Sequence, residues 1–336
     1  MGNQLLRVPL VRILHRLGHE IVVVSEYVGI DAIAGHPAIN ALIKWVPGYD
    51  DHESQIEQYL KTLHLDLAIA AAPVHGNAPD RFLRCAPEAW NVGKIKCWTR
   101  HEADVNLDYA RRLGWTGMWE PSEFFVPDAI DAEIEQLVAQ RFSDRPIIGL
   151  HVGCIKAHNW IYKRWMLESF IDLLTRLQES LNCYILLVGG PMERDEADQI
   201  IYSLDLPVRD RVIDMVNRCS VKHTGSIIKQ CAVFVSNDSG PMHIAAAVGV
   251  PVVAVFGMSD PVKNGPWTDP SNPHAHRLAL AQGLWCRPCF GTERHGMCER
   301  GDCLVEVTVE QVERLVCELY EMNRGVRPQV YREMVT

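Results

Sequence analysis

The densest group of residues able to bind a phosphate lies in the segment SNDSGPMHIAAAVGVPVVAVFG, 236–257. Its opening predicts the end of a strand, and Ser239 followed by Pro241 is typical of the first turn of a helix. Unpaired N–H donors and the dipole at such a helix start favour an anion. The N–H groups that would point outward belong to Gly240, Met242 and His243. An ordinary strand, turn and helix fits the same spacing, so the segment alone leaves both interpretations open.

Charged side chains follow two further predicted strands. After the strand that ends at Val152 come three cations, Lys156, Lys163 and Arg164. Glu193 follows the strand that ends at Gly189. Loops after successive parallel strands converge on one edge of a sheet, where lysines can answer phosphate charge and a carboxylate can accept from ribose hydroxyls. Taken separately, each residue also fits a solvated loop or a charge at a helix start, but their convergence favours a binding crevice.

Four of the eleven cysteines lie close together in the loop WCRPCFGTERHGMCERGDC, 285–303. The pattern C-x2-C-x8-C-x4-C is formed by Cys286, Cys289, Cys298 and Cys303. Four thiolates in a short polar loop can surround one tetrahedral ion, and because protein would fill all four positions the metal would be structural. Four free thiols remain an alternative, and His295 could substitute as a ligand.

Strand-like runs alternate with helix-like runs along most of the chain, which predicts parallel sheets covered by helices. Predicted strands are 20–26, 65–73 and 93–98 in the first half and 146–152, 183–189, 232–237 and 251–256 in the second. The segment 128–144 reads as an amphipathic helix followed by a polar turn. We therefore expect an N-terminal domain 1–144, a C-terminal domain 145–307 containing the loop 285–303, and a final helix and tail 308–336.

Length and composition exclude several classes of protein. The 336 residues suffice for about two domains of ordinary size. A formal charge of −9 without a dense basic run disfavours nucleic acid as the main partner. We see no apolar run long enough to span a membrane and no signal peptide in residues 1–9, so we expect a cytoplasmic protein. In that reducing compartment the scattered cysteines read as buried thiols: Cys85, Cys97, Cys154, Cys183, Cys219, Cys231 and Cys317.

The N-terminus departs from the usual order of elements. An α/β domain normally opens with a strand, yet Gly2 and Asn3 lead directly into a predicted helix, 6–17, that ends at Gly18. The N-terminal sheet is therefore expected to lack its first strand, and whether the native start lies upstream of Met1 stays open.

The C-terminal half resembles glycosyltransferase family 9, which contains the ADP-heptose transferases of lipopolysaccharide and autotransporter modification. The resemblance is carried by GLHVGC, the KRW of 163–165, VGGPMERDEA, SNDSGPMHIAAAVGVPVVAVFG and SDPVKNGPW, and less tightly by the opening segment and HEADVNLDYARRLG. It implies an α/β fold of the GT-B type, two Rossmann-like domains facing across a cleft, with an ADP-sugar held mainly by the C-terminal one. Autotransporter heptosyltransferases also resemble this chain in carrying a four-cysteine iron site, so iron and zinc are both open for the cysteine loop.

Carried onto matching positions, the resemblance assigns Lys163 to the donor phosphates and Glu193 to the ribose. The diphosphate and sugar would be lined by Asp238, Ser239, Gly240, Pro241, Met242 and His243. Departure of the nucleoside diphosphate needs its new charge to be stabilised, which Lys163 and the helix start at Gly240 could do. Lys163 and Asp238 are therefore also expected to take part in catalysis.

The acceptor hydroxyl needs a base, and this is where the chain departs from the family. The expected carboxylate directly after the glycine of the opening loop is Asn3 here. An amide can orient a hydroxyl but cannot take its proton at neutral pH. Other candidates for the base are His101, Glu102 and Asp104, each of which also fits a solvated helix start.

The leading hypothesis is an inverting transfer of a heptose or related sugar from an ADP-sugar to a lipopolysaccharide-core, protein or other acceptor. The alternative is a catalytically weak or silent member that binds nucleotide-sugar and acts through a partner. A nucleotide-sugar epimerase, a third reading, is disfavoured by SNDSGPMH and the KRW loop. Peripheral contact with the inner membrane and oligomerisation are both compatible with the sequence.

Overall fold

The computed structural model describes residues 1–26, 29–71, 80–91, 99–154, 162–295, 297–298 and 300–324. These form two compact units, Asn3–Phe125 and Val126–Thr336. Within the described part of the chain, no helix is both long and apolar enough to cross a membrane.

The first unit contains five α-helices and four short strands among its described residues. The helices are α1 (Gly2–Leu5), α2 (Val8–Arg16), α3 (Asp50–Thr62), α4 (Asp80–Leu83) and α5 (Glu102–Arg112). The strands are β1 (Val22–Glu26), β2 (Ala41–Trp45), β3 (Leu67–Ala70) and β4 (Glu88–Asn91). β1 pairs in parallel with β2, and β3 pairs in parallel with β4.

The two strand pairs of this unit are separate sheets in the described residues. Helix α5 holds the unit together by packing on α2 and by the Tyr109 hydroxyl, which donates to the Ala70 carbonyl at the end of β3 (2.8 Å). The predicted strand 93–98 falls outside the described residues. β2 and β4 were not predicted, because neither is a fully buried apolar run.

The second unit is a six-stranded parallel sheet covered by helices on its faces. Its strands are β5 (Ile147–His151), β6 (Tyr184–Leu187), β7 (Val212–Asp214), β8 (Val233–Asn237), β9 (Val252–Phe256) and β10 (His276–Leu280). The helices are α6 (Asp128–Arg141), α7 (Leu167–Leu181), α8 (Arg194–Ser203), α9 (Leu206–Arg209), α10 (Val221–Ile228), α11 (Gly240–Ala247), α12 (Pro261–Asn264), α13 (Asp302–Val305) and α14 (Val309–Asn323). The predicted strands of this half are confirmed within one to two residues at either end.

The strand order is β10-β9-β8-β5-β6-β7. The central strands β5, β8 and β9 are buried along their whole length, which is why their sequences read as continuous apolar runs. The edge strands β7 and β10 are only partly buried and lack that signal, so they were not predicted.

The structure places helices α6 and α14 in other parts of the fold than the predicted domain boundaries did. Helix α6 belongs to the second unit, because the Asp131 carboxylate accepts from Ser226 of α10 (2.6 Å) and from Lys229, the residue directly after α10 (2.5 Å). The units therefore divide at residue 125, not after Asp144. The final helix α14 packs against α7 and the sheet and buries Val312, Val316 and Leu319, so it is part of the same core and not an appendage.

Candidate functional site

The candidate site lies where the strand order reverses. The chain runs from β5 to β6 on one side and later returns to β8 on the other, so the loops after β5 and β8 diverge at the carboxyl edge. Ligands of open parallel sheets bind at this switch point. The residues predicted from the sequence follow these two strands and β6.

The amide of Asn237, at the end of β8, joins the loops of this edge. Its Nδ2 donates to the carbonyls of Val152 (2.9 Å) and Gly153 (3.2 Å), and its Oδ1 accepts from the Trp165 N–H (3.0 Å). Asn237 is wholly buried. These three bonds replace the hydrogen bonds to water that the buried groups lose on folding. They fix the segment after β5 and the segment that carries Lys163 to the end of β8.

Lys163 and Asp238 form an ion pair at this edge. The ammonium nitrogen lies 2.6 Å from Asp238 Oδ2, which also accepts from the Ser259 hydroxyl (2.5 Å). Lys163 is 7% exposed and Asp238 5%. Burying either charge alone would be costly, so each residue requires the other. The sequence brought Lys163 and Asp238 to one edge, and the structure places them in direct contact; Ser259 was not predicted, because a serine after a strand carries no distinct signal.

Ser239 occupies the N-cap position of α11 as predicted, but its hydroxyl makes no capping bond to the helix. It lies instead 3.0 Å from Nδ1 of His151 and 3.1 Å from the Ser236 hydroxyl. Burial, with a further contribution from the charge of Arg164, lowers the pKa of His151 to about 3. A neutral imidazole at the end of β5 therefore holds the Ser239 side chain away from the helix N-terminus.

The residues of the first turn of α11 differ in exposure. Ser239, Gly240 and Pro241 are partly exposed, whereas Met242 is completely buried and His243 nearly so. The Met242 side chain therefore packs in the interior. The partly exposed part of this turn is the Ser239–Pro241 segment.

Glu193 closes the loop after β6. It ends a 3-10 turn, Pro191–Glu193, and its Oε2 accepts from the Gly190 N–H (2.8 Å). The rest of the side chain lies against Gly153 in the loop after β5, so closely that a Cβ at residue 153 would overlap it. The predicted convergence of these loops is therefore present, with Glu193 buried between them.

Arg164 connects the loop after β5 to helix α8. Its guanidinium donates to the Cys154 carbonyl from two nitrogens and to Glu196 of α8 (2.9 Å). These bonds fix the loop after β5 to α8, and the Glu196 carboxylate compensates the charge of Arg164. Lys156, the third predicted cation, lies outside the described residues.

The cysteine loop 285–303 is anchored next to the same edge. The N–H groups of Cys289 and Phe290 donate to the Met258 carbonyl after β9 (3.0 and 3.1 Å), and Arg287 donates to the Gly257 carbonyl (2.6 Å). Burial raises the pKa of Cys303 to about 11, the charge of Arg287 lowers it, and the nearby thiols of Cys289, Cys298 and Cys286 raise it further.

All four cysteines of this loop are free thiols. Among the described residues, no group of three or more His, Cys, Asp or Glu side chains is arranged to hold a metal ion. Nε2 of His295 is buried without a hydrogen-bond partner in the described structure.

The candidate bases belong to the first unit. Asn3 lies in α1 and is partly exposed. His101 is the N-cap of α5, where its Nδ1 accepts from the Ala103 N–H (3.2 Å), and Glu102 is buried. Arg100 and Arg111 bind both oxygens of Asp104, and although burial acts in the opposite direction these bonds lower the pKa of Asp104. Asp104 is therefore a poor proton acceptor.

Fold and site together define an α/β protein of the Rossmann-like class, with a buried lysine–aspartate pair at the switch point of its C-terminal sheet. Residues 125–295 match the family model described as glycosyltransferase family 9 (heptosyltransferase). The chain belongs to glycosyltransferase family 9. The lipooligosaccharide heptosyltransferase 2 of Campylobacter jejuni is 29% identical over 175 residues, 51% of each chain. The chain thus spans about half the length of the curated relatives it matches.

Solved structures share the fold over nearly the whole chain. A family 9 glycosyltransferase of Veillonella parvula (TM-score 0.75, 18% identity) covers 96% of this chain and 94% of its own. The Escherichia coli ADP-heptose lipopolysaccharide heptosyltransferase II (TM-score 0.72, 17% identity) covers 96% of both. The dodecameric iron-containing glycosyltransferase TibC of enterotoxigenic E. coli (TM-score 0.55, 12% identity) covers 96% of this chain and 74% of its own. The GT-B class predicted from the sequence is confirmed.

Neutral His151 makes stability depend on pH. The unfolded chain binds a proton at this residue below pH ~6.5, whereas the folded chain binds it only near pH 3, so stability is full above ~6.5 and falls as pH falls. We expect the wild type to lose about 2 kcal/mol more than His151→Gln between pH 7 and pH 5. Urea unfolding followed at both pH values measures the difference; equal losses in the two proteins would contradict the assignment.

Proposed function

We propose that this protein transfers a heptose or related sugar, with inversion, from an ADP-sugar to a lipopolysaccharide-core, protein or other acceptor. The buried Lys163–Asp238 pair beside the start of α11 is the observation that carries the proposal. Family membership supports glycosyl transfer. The solved heptosyltransferase II is an ADP-heptose enzyme by name, which supports the choice of donor.

The charges at the switch point suit a departing nucleoside diphosphate. The Asp238 carboxylate holds the Lys163 ammonium in a fixed position, and a fixed ammonium attracts phosphate oxygens. The α11 helix start adds a positive dipole end and the partly exposed turn at Gly240. As the bond to the sugar breaks, negative charge grows on the diphosphate and these fixed groups stabilise it.

Glu193 is suited to the ribose. Its carboxylate is oriented by the Gly190 N–H and packed against Gly153, so it can accept from a hydroxyl with little loss of side-chain freedom. Asp238 acts through Lys163, whose ammonium it positions. Asn3 is assigned to orientation of the acceptor hydroxyl, since an amide cannot take the proton.

The donor is tested by thermal denaturation with ADP, ADP-heptose, UDP and UDP-N-acetylglucosamine. Stabilisation by the adenine ligands and not by the uridine ligands supports the proposal, because a ligand that binds only the folded state raises its stability. No shift with either ADP ligand would sink it. Binding without donor hydrolysis or sugar transfer would indicate a silent member of the family.

Replacing Lys163 tests its role in donor binding. We expect Lys163→Met to weaken ADP binding by about 10- to 100-fold, because a charge-assisted hydrogen bond contributes roughly 1.5–3 kcal/mol. The variant also leaves Asp238 buried without its counter-ion and should lower the melting temperature. Titration calorimetry and thermal melts measure the two effects.

The matched control is the double variant Lys163→Met with Asp238→Asn. Removing both charges should recover most of the lost stability while ADP binding stays weak. Recovery of binding together with stability would show that Lys163 acts only through the fold.

A carboxylate at residue 3 should supply the missing base. We expect Asn3→Asp to raise the transfer rate at pH 7 by about tenfold or more, since general base catalysis commonly contributes ~100-fold or more. Asn3→Ala, which removes the amide without adding a carboxylate, should not raise it. Steady-state kinetics with one acceptor compares the transfer rates of the three proteins. Equal rates for Asn3→Asp and the wild type would show that a group other than residue 3 acts as the base.

We also propose that the loop 285–303 takes up a structural iron or zinc ion through Cys286, Cys289, Cys298 and Cys303. Four thiolates around a divalent ion carry a net charge of −2. Arg287 lies close enough to Cys303, Cys286 and Cys289 to interact electrostatically with them and to offset part of this charge. Burial raises the pKa of Cys289 and of Cys303, and the charges of neighbouring thiols of the loop raise both further, which supports a cluster that a metal could draw together. TibC is named as iron-containing, which favours iron as the first metal to test.

Metal analysis of the purified protein tests this site. We expect about one ion per chain, with loss of the metal in Cys298→Ser and a lower melting temperature of the same variant. Cys219→Ser is the control, because that thiol contacts Thr224 outside the loop (3.4 Å). Metal-free wild-type protein after growth with added iron and zinc would contradict the proposal.

A further inference from the structure

Phe290 brings the cysteine loop into contact with the candidate donor site. Its ring centroid lies 5.1 Å from the Lys163 ammonium nitrogen, within the range of a cation–π interaction. Lys163 is almost completely buried, so the ring faces a cation that has lost most of its water. Neither the sequence pattern nor family membership assigns a role to Phe290.

The position of the ring is fixed from several sides. The N–H of Phe290 and that of Cys289 share the Met258 carbonyl at the end of β9. The His295 ring packs edge to face against Phe290, with centroids 5.0 Å apart. Tyr162, directly before Lys163, donates its hydroxyl to the Cys298 carbonyl. The loop is therefore tied both to the sheet and to the segment that carries the lysine.

We propose that Phe290 is a positioning residue for Lys163, and that through it the cysteine loop forms one wall of the donor site. This inference rests on the proposed function, in which Lys163 binds the donor diphosphate. Two contacts hold the ammonium, the Asp238 carboxylate at 2.6 Å and the centroid of the Phe290 ring at 5.1 Å.

The chemistry of the ring suits this position. A second carboxylate there would overcompensate the lysine and repel a diphosphate, while water would compete for its N–H groups. An aromatic face attracts the ammonium without cancelling its charge and offers no competing strong hydrogen bond. The ring therefore holds the ammonium in place and leaves its positive charge available to an anionic ligand.

The test compares Phe290→Leu, which removes the ring, with Phe290→Tyr, which keeps it. Trp285→Leu is the matched control, because it removes an exposed cation–π pair with Arg294 (5.5 Å) in the same loop. We expect Phe290→Leu to weaken ADP binding by roughly threefold to thirtyfold. Phe290→Tyr and Trp285→Leu should remain within about twofold of the wild type. Phe290→Met replaces Phe290→Leu if the latter does not fold.

A second readout does not need ADP. Urea unfolding of Phe290→Leu, Lys163→Met and the double variant forms a double-mutant cycle that measures the interaction between the ring and the ammonium. We expect the double variant to lose less stability than the sum of the two single losses, because the second change removes an interaction that the first has already broken. Additive losses overturn the positioning role. Failure of the wild type to bind ADP would instead defeat the proposed function, and the cycle alone would then decide the role of Phe290.

Discussion

The hydrogen bonds of one buried amide hold this site together. Asn237 ends the central strand β8 and bonds the segment after β5 and the segment of Trp165, so three pieces of chain meet at one side chain. An aliphatic residue of the same size would leave two carbonyls and an N–H buried without partners, each costing about 1–3 kcal/mol. The Lys163–Asp238 pair, the Glu193 contact with Gly153 and the cysteine loop all depend on the position of those segments.

Charge is distributed over this edge in compensated pairs. Lys163 is matched by Asp238 and Arg164 by Glu196. Compensation allows charged groups to be buried at the edge of a sheet whose central strands are completely buried. It also means that an anionic ligand meets groups whose orientation is already fixed, so little reorganisation is required when it binds.

Much of this arrangement could be predicted from the sequence, and the reasons differ by residue. Strands β5, β6, β8 and β9 are apolar runs bounded by turn residues, and parallel topology then places Lys163, Glu193 and Asp238 at one edge. The contact of the Ser239 hydroxyl with His151 in place of a helix-capping bond could not be predicted, because either interaction requires a serine at this same position. The contact of Phe290 with Lys163 joins residues more than a hundred positions apart, and no local pattern marks it. The weakly buried strands β7 and β10 carry too little hydrophobic signal to be distinguished from loops.

The contact between Glu193 and Gly153 limits how this sequence can change over evolutionary time. A methyl group at residue 153 would occupy the space of the Glu193 side chain. A methyl group at residue 189 would also come too close to that side chain. Alanine at 153 becomes acceptable only after residue 193 has shortened, and a shorter residue at 193 leaves a gap until residue 153 has grown. The two positions are therefore expected to substitute together, so that in homologous sequences the identity of one would carry information about the other.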